Sequence, residues 1–426
     1  MKYSGVEWIG EIPENWKLNK IGQLFNLRNE KVSDKDYSPL SVSKGGIVPQ
    51  MENVAKSDAS DDRKLVLKGD FAINSRSDRK MSCGVSPLDG SVSLINTILY
   101  PKNDDVIYND YMNYLLKNYG FAEEFYRCGH GIVADLWTTK WQEMKSIMLP
   151  LPSVQKQKAT YDFLNQKTEE IDSLIEIENQ QIEKLKEYKQ AVITEAVTRG
   201  LDKKVPLKDS GVEWIGKIPE GWSIQKVLYQ LSMPVTDGPH TTPELQPEGV
   251  AFVSAEAVSC GNGGIDFSHI RGYITEEFYQ ECCLKYIPEI DDVYMIKSGA
   301  TTGRVSIVTT LEPKFTIWSP LAVMRCDKNK MVPKFLYYAV QSEQFQRQVA
   351  LGWSFGTQQN LGMRTLEQLK LIIPTLSEQK DIANYLDMKI GDIEKAIKVK
   401  NEKIERLEEY KKSIIYEYVT GKKEVC

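Results

Sequence analysis

Two stretches of the chain place apolar residues at alternating spacings of four and three, the seam by which long helices bury one face against each other. In the first the series is Ile171, Ile175, Ile182, Leu185, Val192 and Ala196; in the second it is Ile393, Ile397, Ile404, Leu407, Ile414 and Tyr418. Each stretch follows a proline (Pro152, Pro374) and a serine suited to N-capping (Ser153, Ser377). Each runs over forty residues without Gly or Pro apart from Gly391, and Gly200 and Gly421 mark the stops. At ~1.5 Å per residue, such helices extend roughly 65–70 Å. Polar residues interrupt the seams at Glu178 and Lys189 in the first and at Lys400 and Lys411 in the second. In an antiparallel packing Glu178 and Lys400 both fall near the middle. There they either pair, fixing register at some cost in stability, or stay solvated on snorkelling stems.

Elsewhere the pattern is that of mixed α/β domains. Strands are predicted at 65–74, 92–100, 293–297, 305–309 and 316–324, set among Gly/Ser/Asp turns. Amphipathic helices are predicted at 109–119 and 333–349.

The chain also repeats itself. Residues 4–16 (SGVEWIGEIPENW) and 210–222 (SGVEWIGKIPEGW) agree at eleven of thirteen positions, and 152–198 aligns without a gap onto 374–420. A period this long is a whole-domain duplication, not a solenoid. The expected order is an arm (1–22), a variable domain (23–151), a long helix (152–200), a linker and second arm (201–228), a second variable domain (229–373) and a second long helix (374–426). The variable domains share little identity but an order of events. Gly69-Asp70-Phe71 corresponds to Asp291-Asp292-Val293, each followed by a Ser/Gly-rich basic loop, and Gly131 to Leu136 corresponds to Gly356 to Leu361.

A hydrophobic fraction of 41% and a charged fraction of 27% are those of a globular protein with some excess of charged helix. No run of eighteen apolar residues occurs and Met1-Lys2-Tyr3-Ser4-Gly5 opens no apolar leader, so neither membrane span nor secretory signal is expected. Seven cysteines without C-x-x-C spacing point to reduced thiols, a cytoplasmic location and no zinc.

Catalytic signatures fail one by one. Gly352-Trp353-Ser354-Phe355-Gly356 matches G-x-S-x-G, but His130, His240 and His269 all precede the serine, against the order of that fold. Gly299-Ala300-Thr301-Thr302-Gly303-Arg304 fits neither a P-loop nor a dinucleotide fingerprint. Asp291, Asp292 and Lys297 lack the acidic partner of a metal-dependent nuclease, and no prolyl-prolyl dipeptide offers an adenine methyltransferase motif. A non-catalytic chain is expected, with no cofactor or metal of its own.

The arm motif, the closing segments LPLPSVQKQK and LIIPTLSEQK, and the duplicated helix ending in a Tyr-Lys run resemble the specificity subunits of type I restriction–modification systems. Val235 to Pro243 resembles a segment of their recognition domains; Lys156-Gln157 departs from the family's Glu-Gln. The resemblance implies an α+β architecture: two target recognition domains, each followed by a long helix, the helices forming an antiparallel coiled coil with pseudo-two-fold symmetry. It implies double-stranded DNA, two modification subunits and restriction subunits as partners, with S-adenosylmethionine, ATP and Mg2+ held by those subunits. It also implies a split target, one half per domain, with the helices setting a spacing of about one helical turn, roughly 34 Å. A non-enzymatic coiled-coil scaffold or inhibitor of another DNA-processing assembly is the alternative that the residues leave open.

Base edges are read by Arg or Lys on guanine, Asn or Gln on adenine and acids on cytosine. The candidates are Lys44, Arg76, Arg79, Lys80 and His130 in the first domain, and Asp237, His240, Thr241, Lys297, Thr302, Arg304, Gln358 and Gln359 in the second. The clusters 76–80 and 297–304 lead, whereas Trp137 and Trp353 read as core. A net charge of −5 is low for phosphate binding, so partner subunits are expected to supply much of the backbone contact.

Overall fold

The computed structural model describes residues 1–50, 62–76, 79–131, 137–352, 354–355 and 359–425, with the backbone alone at 354, 355 and 359. The chain forms two compact units that do not follow the linear segments. One comprises Met1–Asn179 with Asn401–Cys426, the other Gln180–Lys400. Each therefore contains an arm, a variable domain and a part of both long helices.

The long helices run Val154–Arg199 and Leu376–Val419. Ser153 caps the first, its Oγ accepting from Lys156 N at 3.4 Å. The second starts two residues earlier than Ser377 suggests. Thr375 is its cap, because Thr375 and Glu378 exchange hydrogen bonds: Glu378 N to Thr375 Oγ1 at 3.3 Å and Thr375 N to Glu378 Oε2 at 3.0 Å. Gly200 (φ +77°) and Gly421 (φ +74°) take the left-handed conformation that ends a helix.

Within each unit the helix segments pack antiparallel. In the first unit Asp172 meets Lys411 at 2.6 Å and Glu178 meets Lys403 at 2.5 Å. In the second Lys189 meets Glu394 at 2.5 Å and Lys400 donates to Gln181. Residue numbers rise on one helix as they fall on the other. Ile171, Ile182, Val192, Ile393 and Ile414 are buried and Ile175, Leu185, Ile397, Ile404 and Leu407 half-buried, so the seam faces inward as its spacing requires. All four polar interruptions find partners on the facing helix, and Glu178 is only 5% exposed.

The variable domains share a four-stranded antiparallel sheet. Its order in the first unit is Cys83–Val85, Phe71–Asn74, Asn96–Pro101, Phe25–Arg28. In the second it is Val305–Ile307, Val293–Ile296, Leu321–Met324, Thr236–Asp237. The accompanying three-stranded sheets differ. Gly90–Val92, Arg63–Val66 and Lys31–Val32 are all antiparallel, whereas Val250–Val253 pairs antiparallel with Tyr273–Ile274 and parallel with Phe315–Ile317. A strand just after each arm (Lys17–Lys20, Ser223–Lys226) pairs with the strand before each long helix (Met148–Leu151, Lys370–Ile373).

Several elements are shorter than their apolar runs. The runs 65–74, 92–100 and 316–324 each break at a turn and feed two sheets. The 333–349 helix is two, Pro333–Ala339 and Glu343–Leu351, because Ser342 caps the second by accepting from Phe345 N. The 109–119 helix is a 3-10 turn, Asn109–Tyr111, and one α-turn, Met112–Leu115; Tyr119–Arg127 follows, capped by Asn118.

Arms and helix ends share cores. Trp8, Ile9, Ile12 and Trp16 pack with Phe121, Phe125, Ile414 and Val419. Val212, Ile215, Ile218 and Trp222 pack with Ile193, Val197, Phe345 and Val349. One polar contact distinguishes them. Trp222 Nε1 donates to Glu378 at 3.0 Å, but the matching position in the first unit is Lys156. There Glu424, from the tail beyond the second helix, accepts from Trp16 Nε1 at 3.1 Å and pairs with Lys156 at 2.6 Å. The tail thus supplies the carboxylate that the first closing motif lacks. Glu424→Ala is expected to destabilise the first arm by about 1 kcal/mol, the worth of one such hydrogen bond. In a Lys156→Glu background, which rebuilds a Ser-x-x-Glu capping box, the same substitution should cost nothing. Thermal unfolding and hydrogen exchange over residues 8–16 check this, and an equal cost in both backgrounds would refute it.

Candidate nucleic-acid interface

In each unit an inner strand of the four-stranded sheet, Phe71–Asn74 or Val293–Ile296, is buried along its length and runs into a loop at the sheet's end. Two backbone hydrogen bonds hold that loop in the same way in both. Ser75 N donates to Ile95 O at 3.3 Å, as Lys297 N does to Pro320 O at 2.8 Å. Thr139 N donates to Ser75 O at 2.9 Å, as Leu361 N does to Lys297 O at 2.7 Å. Bridges Arg76–Thr138 and Ser298–Asn360 continue the pairing. Three segments therefore converge in each domain: the loop after the inner strand, the turn before the next strand, and the segment returning toward the long helix.

In the first unit this convergence brings Arg76, Arg79 and His130 to one place. Arg76 and Arg79 are exposed, joined by a turn from Arg79 N to Arg76 O. His130 exchanges backbone hydrogen bonds with Thr138, and its ring, 78% exposed, lies 3.9 Å from Glu143. Lys80 is committed elsewhere, pairing with Glu123 and lying 5.0 Å above the Tyr126 ring. Lys44 is exposed on a different element, the two-residue turn between Leu40–Ser43 and Gly46–Pro49. Trp137 is half-buried, stacked on Tyr126 with its Nε1 donating to Tyr126 O at 2.9 Å.

The second unit corrects part of its candidate set. Asp237 is fully buried: Oδ1 accepts from Lys285, and Oδ2 lies 3.3 Å from Lys297 Nζ and 3.1 Å from His240 Nε2. A carboxylate with no exposed atom cannot meet a base edge, and Lys297, 9% exposed, is held against it. Together they fasten the strand edge Thr236–Asp237 to the loop after Ile296. Burial raises the Asp237 carboxyl, but the hydrogen bond and charge of Lys285, with the charge of Lys297, outweigh it and hold it below the ordinary aspartate value. Thr302 is half-buried, its Oγ1 donating to Gly299 O within the loop at 2.7 Å. Arg304, His240 and Thr241 remain exposed, Arg304 resting Nη1 on Ser259 O at 3.3 Å. Gln359 lies in the strand Gln359–Asn360 beside Ser298; Gln358 and Trp353 lie outside the described residues.

Four residues escaped the sequence reading. Lys64, Lys140, Leu94 and Ile95 line one groove with Arg76 and Thr138. Leu94 and Ile95 sit inside what reads as one strand, so only the turn between Gly90–Val92 and Asn96–Pro101 reveals their exposure. Among the described residues no group of three or more His, Cys, Asp or Glu is placed to hold a metal, and no helix is long and apolar enough to cross a membrane.

Asp237→Asn should destabilise the second unit by about 2–4 kcal/mol, since it leaves Lys297 buried without a counter-charge. An aspartate depressed in the folded state contributes stability above its unfolded value of about 3.9 that disappears as pH falls through the folded value. Denaturant unfolding between pH 2 and 7 should therefore show a shallower acid limb in the variant; an unchanged limb would refute the assignment.

Residues 246–409 match the family model for the type I restriction modification DNA specificity domain. Over 97% of its length the chain is 25% identical to the MjaX type I restriction enzyme specificity subunit of Methanocaldococcus jannaschii, covering 95% of that protein. It is 24% identical to the MjaVIII specificity subunit of the same organism over 65% of the chain and 62% of the relative. The fold is similar to a chain from a structure of type I R-M system assembly and conformational transition (TM-score 0.71, 14% identity, 96% of this chain and 98% of that one). It is also similar to the HsdS subunit of Thermoanaerobacter tengcongensis (TM-score 0.51, 15% identity, 96% and 98% coverage).

Proposed function

We propose, from the premise that the chain belongs to the type I restriction–modification specificity subunits, that each of its units reads one half of a bipartite, asymmetric DNA target. The chain itself is non-catalytic. It directs adenine methylation by two modification subunits and cleavage by restriction subunits, which hold S-adenosylmethionine, ATP and Mg2+, and it works in the cytoplasm. The observation that carries this reading is the pair of equivalent backbone hydrogen bonds at the sheet ends. They present Arg76, Ile95 and Lys140 in one unit and Ser298, Pro320 and Gly362 at the corresponding places in the other. An identical frame offering different side chains is what two readers of different half-sites require.

The test is co-expression with the neighbouring methyltransferase gene and single-molecule sequencing for N6-methyladenine. A split motif should depend on this chain, and replacing residues 23–151 with a different recognition domain should change one half only. A motif that survives deletion of the chain, or changes in both halves, would refute the proposal.

A further inference from the structure

The groove beside Arg76 is unusual in a chain of net charge −5. It is lined by Lys64, Arg76 and Lys140, and no carboxylate stands among its described lining residues. Arg76 and Lys140 are exposed and make no ion pair with described residues. Lys64 is drawn inward, its Nζ donating to Asn96 O at 2.7 Å. The same groove is lined by two apolar side chains, Leu94 and Ile95, 37% and 42% exposed. Ile95 is fixed by its carbonyl, which accepts from Ser75 N, the residue before Arg76.

Polyanion and apolar edge meet in one familiar ligand, the major-groove face of DNA. Phosphates need the cations, and the C5-methyl of thymine is the one apolar group on a base edge that a branched aliphatic side chain can bury. Building on the reading of the chain as a DNA specificity subunit, we infer that the first domain recognises a thymine methyl through Leu94 and Ile95, with Arg76 and Lys140 engaging the flanking phosphates. The second domain lacks the device. Its equivalent turn is Ser319-Pro320, and Ser298 and Gly362 replace Arg76 and Lys140.

The experiment uses the complex of the full chain with its co-expressed methyltransferase and duplexes carrying the methylated target. Each thymine of the half-site that follows residues 23–151 is replaced in turn by deoxyuridine, which removes the methyl alone. One replacement should weaken binding of the wild-type complex about 4-fold, the worth of one buried methyl. The Leu94→Ala/Ile95→Ala complex should bind the dT and dU duplexes alike, Ile95→Val should keep the difference, and Arg76→Ala should weaken all duplexes and flatten the salt dependence by about one unit of slope. Retained discrimination at the other half-site shows that the variants are folded. A half-site without thymine, a wild-type complex indifferent to every dU, or a double variant that keeps the penalty would overturn the inference and leave the specificity-subunit reading standing. Absence of any chain-dependent methylation would overturn both.

Discussion

Each variable domain is tied to its long helix through a buried glutamine whose amide is shared among three backbone groups. Gln157 accepts from Tyr108 N at 2.9 Å and donates to Val106 O at 2.9 Å and Pro152 O at 3.1 Å. Gln379 accepts from Val332 N at 2.8 Å and donates to Lys330 O at 3.2 Å and Pro374 O at 3.1 Å. Both are wholly buried. Removing either amide would strand backbone groups away from water, at about 1–3 kcal/mol apiece. The helix start is thereby locked to the segment entering the domain's helices. With that junction set, the strand before each helix pairs beside the arm, and the arm's tryptophan reaches the far end of the other helix. The repeated glutamine of the closing motifs, Gln157 and Gln379, is thus a structural requirement, met twice.

The chain's net charge says little about where it can hold an anion. Fields between exposed charges decay over about 8–10 Å at moderate ionic strength, so a local excess of cations counts where it lies. Three of the lysines on the helices are spent on facing carboxylates, at Asp172–Lys411, Glu178–Lys403 and Lys189–Glu394. Among the described residues no carboxylate lines the first domain's groove, whereas the second domain commits Lys285 and Lys297 inward to Asp237. The two domains therefore present different electrostatic faces at the ends of the same sheet.

What the sequence disclosed followed from repetition and period. The seam from Ile171 to Ala196, the glycine stops and the paired arms were legible because helical spacing and duplication are carried by residue identity alone. Boundaries that depend on competition between neighbours were not. Thr375 outcompetes Ser377 as a cap because Glu378 answers it three residues on, and Ser342 divides a helix that amphipathicity draws as continuous. At the candidate site, the basic clusters 76–80 and 297–304 stand out by their composition, but composition does not distinguish a lysine facing solvent from one spent on a neighbouring acid. Lys80 and Lys297 look like Arg76 in sequence and differ only in what the fold places beside them. Ile95 was hidden by the reverse error, an apolar residue in an apolar run that the turn leaves outside.

Duplication also separates what the frame demands from what it tolerates. Asp70 and Asp292 occupy the same position, both buried, and both carry an arginine across their two oxygens. Yet Arg28 comes from the edge strand Phe25–Arg28, and Arg325 from the end of Leu321–Met324. The fold requires a satisfied carboxylate there and accepts the guanidinium from either direction. At the sheet ends the requirement is weaker still. The hydrogen bonds that position residues 75, 95 and 139, and 297, 320 and 361, are made by backbone atoms alone, so they impose no side chain. Exposed substitutions at such places change stability by about 0.5 kcal/mol or less. Arg76 can therefore stand against Ser298, and Ile95 against Pro320, with little effect on folding. A scaffold that fixes geometry through its backbone and glutamine junctions is free to vary the chemistry it displays, which is the property that the proposed pair of readers needs.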